Sequence, residues 1–249
     1  MSLLARRELL GAFAALSCWP ADGSERAADP LLREERVLFG SPCELALSAA
    51  TPSDARLALA AAWRDLEWIN GHWNAWKPGE VTALNAAFRA GRAAPASPWL
   101  HAMVRRARTL EQASGGLFNP GIGGLVEAWG FHADVMSDDP APSVSRCRRW
   151  QAARPSLAQI EVRGTSMWSS NPGLQLDFGA YAKGVAIDLV LDRLAALGCD
   201  AALVNLGGNL AVTGRVGERP WRIGVRDPFG SGVVATLDTT GREAVVTSG

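Results

Sequence analysis

The sequence predicts an α+β fold, with strands and helices mixed in one chain and no regular strand–helix alternation. Three observations carry that reading. Apolar residues recur at helical spacing in three windows, around 54–73, 98–110 and 180–197. Segments such as 36–49, 160–177 and 202–214 lie between turn signals and read as strands. The two kinds of element follow one another irregularly, and no internal repeat or low-complexity segment intervenes. At 249 residues the chain can bury a full core, as one large domain or two intimate lobes. Its formal net charge of zero argues against a nucleic-acid surface. No run reaches the apolar length of a membrane span.

Residues 1–30 differ in kind. Arg6-Arg7 precedes an apolar run at 9–16, followed by small and polar residues, which is the layout of an export signal. The paired arginines followed by Glu8-Leu9-Leu10 look like a twin-arginine signal. Ala15-Leu16-Ser17-Cys18 loosely resembles a lipoprotein processing site, making Cys18 a candidate lipid anchor. The bland alternative is a frayed, basic N-terminal helix. The expected organisation is an export signal and linker at 1–30 and one folded domain at 31–249. Cys43, Cys147 and Cys199 are scattered, without zinc or disulfide spacing, and read as small core residues.

Residues 36–49 alternate loosely and predict one or two strands with a kink at Gly40-Ser41-Pro42. Thr51-Pro52-Ser53-Asp54 opens a helix: a hydroxyl cap, a proline in the first turn and an acid at the third position. Leu59, Ala62, Trp63, Leu66 and Trp73 form its apolar stripe. Pro78-Gly79 marks a loop. Ser97-Pro98 starts a second helix with Leu100, Met103, Val104, Ala107 and Leu110 on one face, stopped at Gly115-Gly116. Residues 118–131 are glycine-rich yet apolar, and 132–142 are polar and acidic, an exposed loop. Residues 143–153 suggest a short basic helix whose arginines, Arg146, Arg148 and Arg149, fit a solvated face better than a phosphate site. Strands follow over 160–177, with turns at Gly164 and Asn171-Pro172-Gly173. A helix over about 180–197 then stops at Gly198. Residues 202–214 read as a hairpin on Gly207-Gly208, and strands and turns finish the chain.

The chemistry concentrates in LQLDFGAYAKGVAIDLVLDRLAALG, residues 174–198. Asp177 ends an apolar run, small residues follow, and Lys183 lies in the first turns of a helix. A helix N-terminus presents unpaired backbone N–H groups and a positive dipole end. Gly179, Ala180 and Ala182 would let a ligand approach that backbone, and Lys183 adds a cation, together a pyrophosphate cradle. Asp177 would repel phosphate; it suits a divalent cation, or a sugar or base. On spacing alone, a helix-capping acid with a surface lysine fits equally well. Glycines 121, 123 and 124 favour a ligand wall, and Phe118, Trp129 and Phe131 could stack on a flat ring or simply fill core. GxGxxG after a first strand, the P-loop, the nucleophile elbow and HExxH are all missing.

Seven ordered blocks together resemble the ApbE-type FAD:protein FMN transferases. They are LFGSPCEL (38–45), NAWKPGEVTALN (74–85), GGLFNPGIGGLVEAWGF (115–131), LDFGAYAKGVAID (176–188), VNLGGNLAVTG (204–214), WRIGVRDP (221–228) and VVTSG (245–249). The resemblance implies an ApbE-like, T-fold-related domain with FAD in a cleft between lobes. It implies Mg²⁺-assisted cleavage of the FAD pyrophosphate, transfer of FMN to a Ser or Thr hydroxyl of an exported acceptor protein, and release of AMP. It places the protein in the periplasm or on the periplasmic face of the membrane. Some members hydrolyse FAD to FMN and AMP instead, and a degenerate member would only bind FAD.

Carried over by position, Asp177 and Lys183 match FAD-contacting residues and are the ones on which catalysis would fall. Ala180 matches the turn residue that helps ligate Mg²⁺, here through its carbonyl. Phe39 stands where Met is usual, and Trp76 where a Tyr packs near the flavin. Leu117, Phe118 and Asn119 match a segment that usually reads Ala/Phe-Phe-Asp, so Asn119 loses a charge. Gly121 replaces a common Thr, and KPGEV is one residue short. The family continues past the point where this chain stops, at Thr247-Ser248-Gly249. There a His-containing segment contacts FAD, and an Asp-rich helix start with a Thr completes the Mg²⁺ site. The expectation is a C-terminally truncated chain or a degenerate member.

Overall fold

Short hairpins and capped helices build two compact units, one from residues 1–68 with 183–249 and the other from 69–182. The structure, a computed structural model, describes residues 31–132, 142–239 and 241–247. The expected export segment with Cys18, nearly all of the expected acidic loop, and Ser248-Gly249 lie outside the described residues.

In the first unit, β1 (Leu32–Leu38) pairs antiparallel with β2 (Ser41–Ala49), with Leu38 opposite Ser41. The sequence suggests a kink at Gly40-Ser41-Pro42; the chain instead makes a full two-residue turn at Phe39-Gly40, with φ of 54° and 68°. Two positive φ values match the twist of the flanking strands. For Phe39 that region costs roughly 1–3 kcal/mol, which the rest of the hairpin has to offset.

The sheet continues through β6 (Cys199–Leu206), β7 (Asn209–Gly214) and β10 (Glu243–Val246), in the order β1-β2-β6-β7-β10, every neighbour antiparallel. β6 and β7 join at Gly207-Gly208, φ 63° and 88°, as the sequence predicts. β6 is buried everywhere except Asp200, because it is covered on both faces. One face gathers Ala46, Ala201, Leu203, Leu210 and Val212 with Trp221 and with Ile223 of β8 (Arg222–Arg226). The Trp221 indole N–H reaches Thr213 O at 3.0 Å, so the largest side chain of that cluster carries no unpaired donor. The alternate residues Leu45, Leu47, Ala202 and Val204 are buried on the opposite face. β8 also pairs with β9 (Val233–Asp238), which is exposed along its whole length.

Helix α1 (Pro52–His72) starts where the sequence places it: Thr51 Oγ1 accepts Asp54 N–H at 3.1 Å and donates to Asp54 Oδ2 at 2.7 Å. Its expected stripe, Leu59, Ala62, Trp63, Leu66 and Trp73, is buried throughout.

The second unit carries α2 (Glu80–Arg89), β3 (Ala94–Pro95), α3 (Pro98–Ala113), α4 (Gly123–Ala128) and α5 (Val144–Ala153). A 3₁₀ turn, Leu157–Gln159, leads into β4 (Ile160–Arg163) and β5 (Ser166–Ser169), which form the sheet β3-β5-β4. Ser97 caps α3 by accepting Leu100 N–H at 3.2 Å, and Glu80 at the head of α2 binds the Ser97 backbone and hydroxyl. Leu110, expected on the buried face of α3, is 39% exposed; Glu111 is buried instead and accepts Leu157 N–H at 2.9 Å. α5 buries no residue fully, as a basic solvated face requires. Asn85 is the polar pin of this unit. Its side chain donates to Leu176 O at 2.9 Å and accepts Leu176 N–H at 2.7 Å, fixing the chain just before Asp177.

Candidate functional site

Asp177 is held from four directions. Asn85 fixes its predecessor, and its own N–H donates to Pro120 O at 2.8 Å. Gly123 N–H and Gln175 O meet at 2.8 Å, tying the glycine-rich segment alongside. Its carboxylate, 8% exposed, accepts Gly179 N–H on Oδ1 and His132 Nε2 on Oδ2, both at 2.7 Å. Asp177 therefore caps α6 (Gly179–Ala196) by satisfying one of the orphan N–H groups of its first turn. This answers why an acid precedes that bare turn: a Cβ on Gly179 would lie 3.0 Å from Asp177 Oδ1.

α6 passes through the boundary between the two units. Asp177 and Ala180 belong to the second unit, and Lys183 to the first. Ala180 is exposed in the first turn. As in any α-helix, its carbonyl is directed along the axis toward the N–H four residues on, leaving one lone pair for another partner.

His132 brings Trp76 to the same place. The two rings stack at 5.3 Å between centroids with 22° between planes, and Trp76 remains 39% exposed. Asn74 Oδ1 fixes the Trp76 loop by accepting the backbone N–H groups of Trp76 and Lys77, each at 2.9 Å. Sequence reasoning missed His132; its only local signal is an imidazole directly after the aromatic run Trp129-Gly130-Phe131.

The neighbouring residues divide. Leu117 is 93% exposed. Phe118 is half-buried and meets Tyr181 edge-on, with centroids 5.8 Å apart. Asn119 is a brace: its Nδ2 donates to Pro155 O and its Oδ1 accepts Gly121 N–H, both at 2.8 Å. Packing inside this unit accounts for two of the three glycines read as a ligand wall. A Cβ on Gly124 would fall 1.9 Å from the Trp150 ring, and one on Gly123 would fall 2.8 Å from Gln175 O.

Phe39 and Lys183 lie in the first unit. Lys183 runs to the β6–β7 turn, where a Cβ on Gly207 would come within 3.3 Å of its Nζ and 2.6 Å of Ser41 Cβ. Burial pushes the lysine amine below its usual range, opposed by nearby Cys43; burial likewise pushes the Cys43 thiol up. Cys43 and Cys199 are buried, as expected of small core residues, whereas Cys147 is only half-buried.

Among the described residues, no group of three or more His, Cys, Asp or Glu side chains could hold a metal ion. Asp177 and the Ala180 carbonyl alone do not compose a Mg²⁺ site, which takes six oxygen ligands in octahedral geometry.

The ApbE family profile matches residues 39–249. An FAD:protein FMN transferase of Rhodobacter capsulatus is 40% identical over 223 residues, covering 90% of this chain and 42% of that protein. The FAD:protein FMN transferase of Klebsiella pneumoniae is 31% identical over 220 residues, 86% of this chain and 64% of the relative. The crystal structure of the ApbE protein of Thermotoga maritima has a TM-score of 0.77 at 22% identity and covers 88% of this chain and 70% of its own. Apo flavinyl transferase ApbE of Pseudomonas stutzeri scores 0.70 at 24% identity, covering 81% and 64%. The mixed α and β architecture is thus that of solved ApbE structures, and the chain spans 42% to 64% of the length of the two curated relatives. The chain belongs to the ApbE family.

Proposed function

We propose that this protein transfers FMN from FAD to a Ser or Thr hydroxyl of an exported acceptor protein and releases AMP. The observation that carries the reading is 40% identity over 90% of the chain to an FAD:protein FMN transferase. In the reaction the acceptor hydroxyl oxygen bonds to the FMN phosphorus. The bond from that phosphorus to the bridging oxygen breaks, AMP leaves with that oxygen, and the hydroxyl proton passes to a base.

The chain's own groups suit binding and orientation. Trp76 offers a part-exposed aromatic face to the isoalloxazine ring. Asp177, held rigidly, orients a ribityl or ribose hydroxyl. Lys183 supplies a desolvated amine whose positive form a pyrophosphate would favour. Phe39, Leu117 and Phe118 complete the proposed FAD contacts, and Asn119 fixes the backbone beside them. Mg²⁺ would neutralise pyrophosphate charge, with the Ala180 carbonyl as its one contact among the described residues, which lack the carboxylates for it.

Export, through the twin-arginine-like segment, and lipidation at Cys18 belong to the same proposal. The test is to incubate the purified chain with FAD, Mg²⁺ and a Ser/Thr acceptor peptide. AMP appearing with flavin-bearing peptide supports transfer; AMP with free FMN alone points to an FAD pyrophosphatase. A second reading, FAD binding without chemistry, is favoured by the lack, among the described residues, of a group of side chains that could hold a metal ion. It predicts FAD binding with no AMP.

A further inference from the structure

We propose that His132 is a positioning residue that sets Asp177 and Trp76 jointly for FAD, an inference that rests on the function proposed above. A carboxylate only accepts hydrogen bonds, so in the 2.7 Å contact with Asp177 Oδ2 it is His132 Nε2 that carries the proton. One imidazole edge thereby fixes which oxygen of Asp177 faces the ring, while Gly179 N–H fixes the other. The imidazole face meets the indole of Trp76 nearly parallel, at 5.3 Å and 22°. Trp76 and Asp177 are far apart in sequence, and His132 touches both.

The local chain delivers the ring to this place. α4 ends at Ala128 with Trp129 as its C-cap, and Gly130 follows with a φ of 80°, which suits a helix stop. Gly130 N–H returns to Glu127 O at 2.9 Å and Phe131 N–H to Val126 O at 3.2 Å, so His132 leaves a fixed base. Its side chain is only 10% exposed. The arrangement couples aromatic stacking on the flavin to hydrogen bonding elsewhere on the dinucleotide: moving either partner moves the imidazole between them.

The experiment compares the wild-type chain with His132→Ala, His132→Gln and His132→Phe, measuring the Kd for FAD by flavin fluorescence, KM and kcat for AMP release, and the thermal midpoint. The alanine variant is expected to lose about tenfold or more in FAD affinity and to raise KM rather than lower kcat, as loss of a hydrogen bond to a charged group requires. Gln restores a donor to Asp177 and Phe restores a ring for Trp76, so each recovers part of the affinity. A folded His132→Ala chain that binds FAD like the wild type overturns the inference and leaves the proposed function standing. An affinity loss that follows the thermal midpoint in all three variants, with no partial rescue, also overturns it. If the wild-type chain itself fails to bind FAD, the proposed function falls and this inference with it.

Discussion

Asn119→Asp would restore the residue that the family resemblance leads one to expect, yet the structure predicts that it destabilises this protein. Asn119 uses both ends of its amide: Nδ2 donates to Pro155 O and Oδ1 accepts Gly121 N–H, each at 2.8 Å. A carboxylate keeps the second bond and loses the first. The lost bond is worth about 1 kcal/mol, and setting an anionic oxygen against the Pro155 carbonyl adds roughly another 1 kcal/mol at this half-buried position. A deficit of about 2 kcal/mol lowers the midpoint of a chain this size by roughly 4–8 °C. The pH dependence has a definite sign. Contact with a carbonyl oxygen raises the introduced carboxyl's pKa in the folded state above its unfolded value. Its stabilising contribution is therefore present at low pH, where the protonated acid can donate to Pro155 O, and is lost as pH rises through the folded pKa. Thermal unfolding of both proteins between about pH 4 and pH 7.5 should show the deficit opening as pH rises. A variant as stable as the wild type at neutral pH, or a deficit that widens on acidification, refutes the reasoning.

Three further outcomes follow from the same packing. Gly124→Ala sets a Cβ 1.9 Å from the Trp150 ring and should cost about 1–3 kcal/mol in chemical denaturation, and Trp150→Leu in the same chain should recover part of it. Asn85→Ala leaves the buried N–H and C=O of Leu176 without their present partner and should cost about 2–4 kcal/mol by the same assay; a loss below about 0.5 kcal/mol would show that Asn85 does not pin the segment before Asp177. Lys183→Met removes an amine whose folded pKa burial depresses below the usual 10.5. Between the folded and unfolded values the unfolded chain binds more protons, so the wild type gains stability from this group as pH rises, and the stability advantage of the Met variant should shrink toward pH 10.5; an advantage constant with pH contradicts the burial of a charged amine.

The parts that could be read from sequence are those whose signal is local. Thr51-Pro52, Ser97-Pro98 and Gly207-Gly208 each carry their own turn or cap chemistry, and each sits where that chemistry places it. The helix after Asp177 was equally legible, with Ile187, Leu191 and Leu194 buried, although Leu197 at its end is 45% exposed. α2 was hidden because Pro78-Gly79 signals a loop, whereas Gly79 is only the cap of the helix that follows. The strand pairing at Phe39-Gly40 was blurred because an aromatic residue gives no warning of positive φ. At the site, the sequence left Asp177 open between ligand and cap, and the bond to Gly179 N–H makes it a cap in this structure. Gly123 and Gly124 looked like backbone bared for a ligand, but their neighbours, Gln175 and Trp150, are distant in sequence and no spacing rule points to them. His132 was missed for the same reason: a single imidazole has no periodicity, and its meaning comes from the Trp76 ring and the Asp177 carboxylate that the fold sets against it.

The most direct test of the account is the mass balance of a single reaction: the purified chain, FAD, Mg²⁺ and an acceptor peptide containing Ser or Thr, with AMP and peptide-bound flavin quantified together. FMN transfer predicts AMP and flavin-bearing peptide in equal amounts, both lost in Asp177→Asn or Lys183→Ala. A chain that binds FAD yet forms neither product contradicts it.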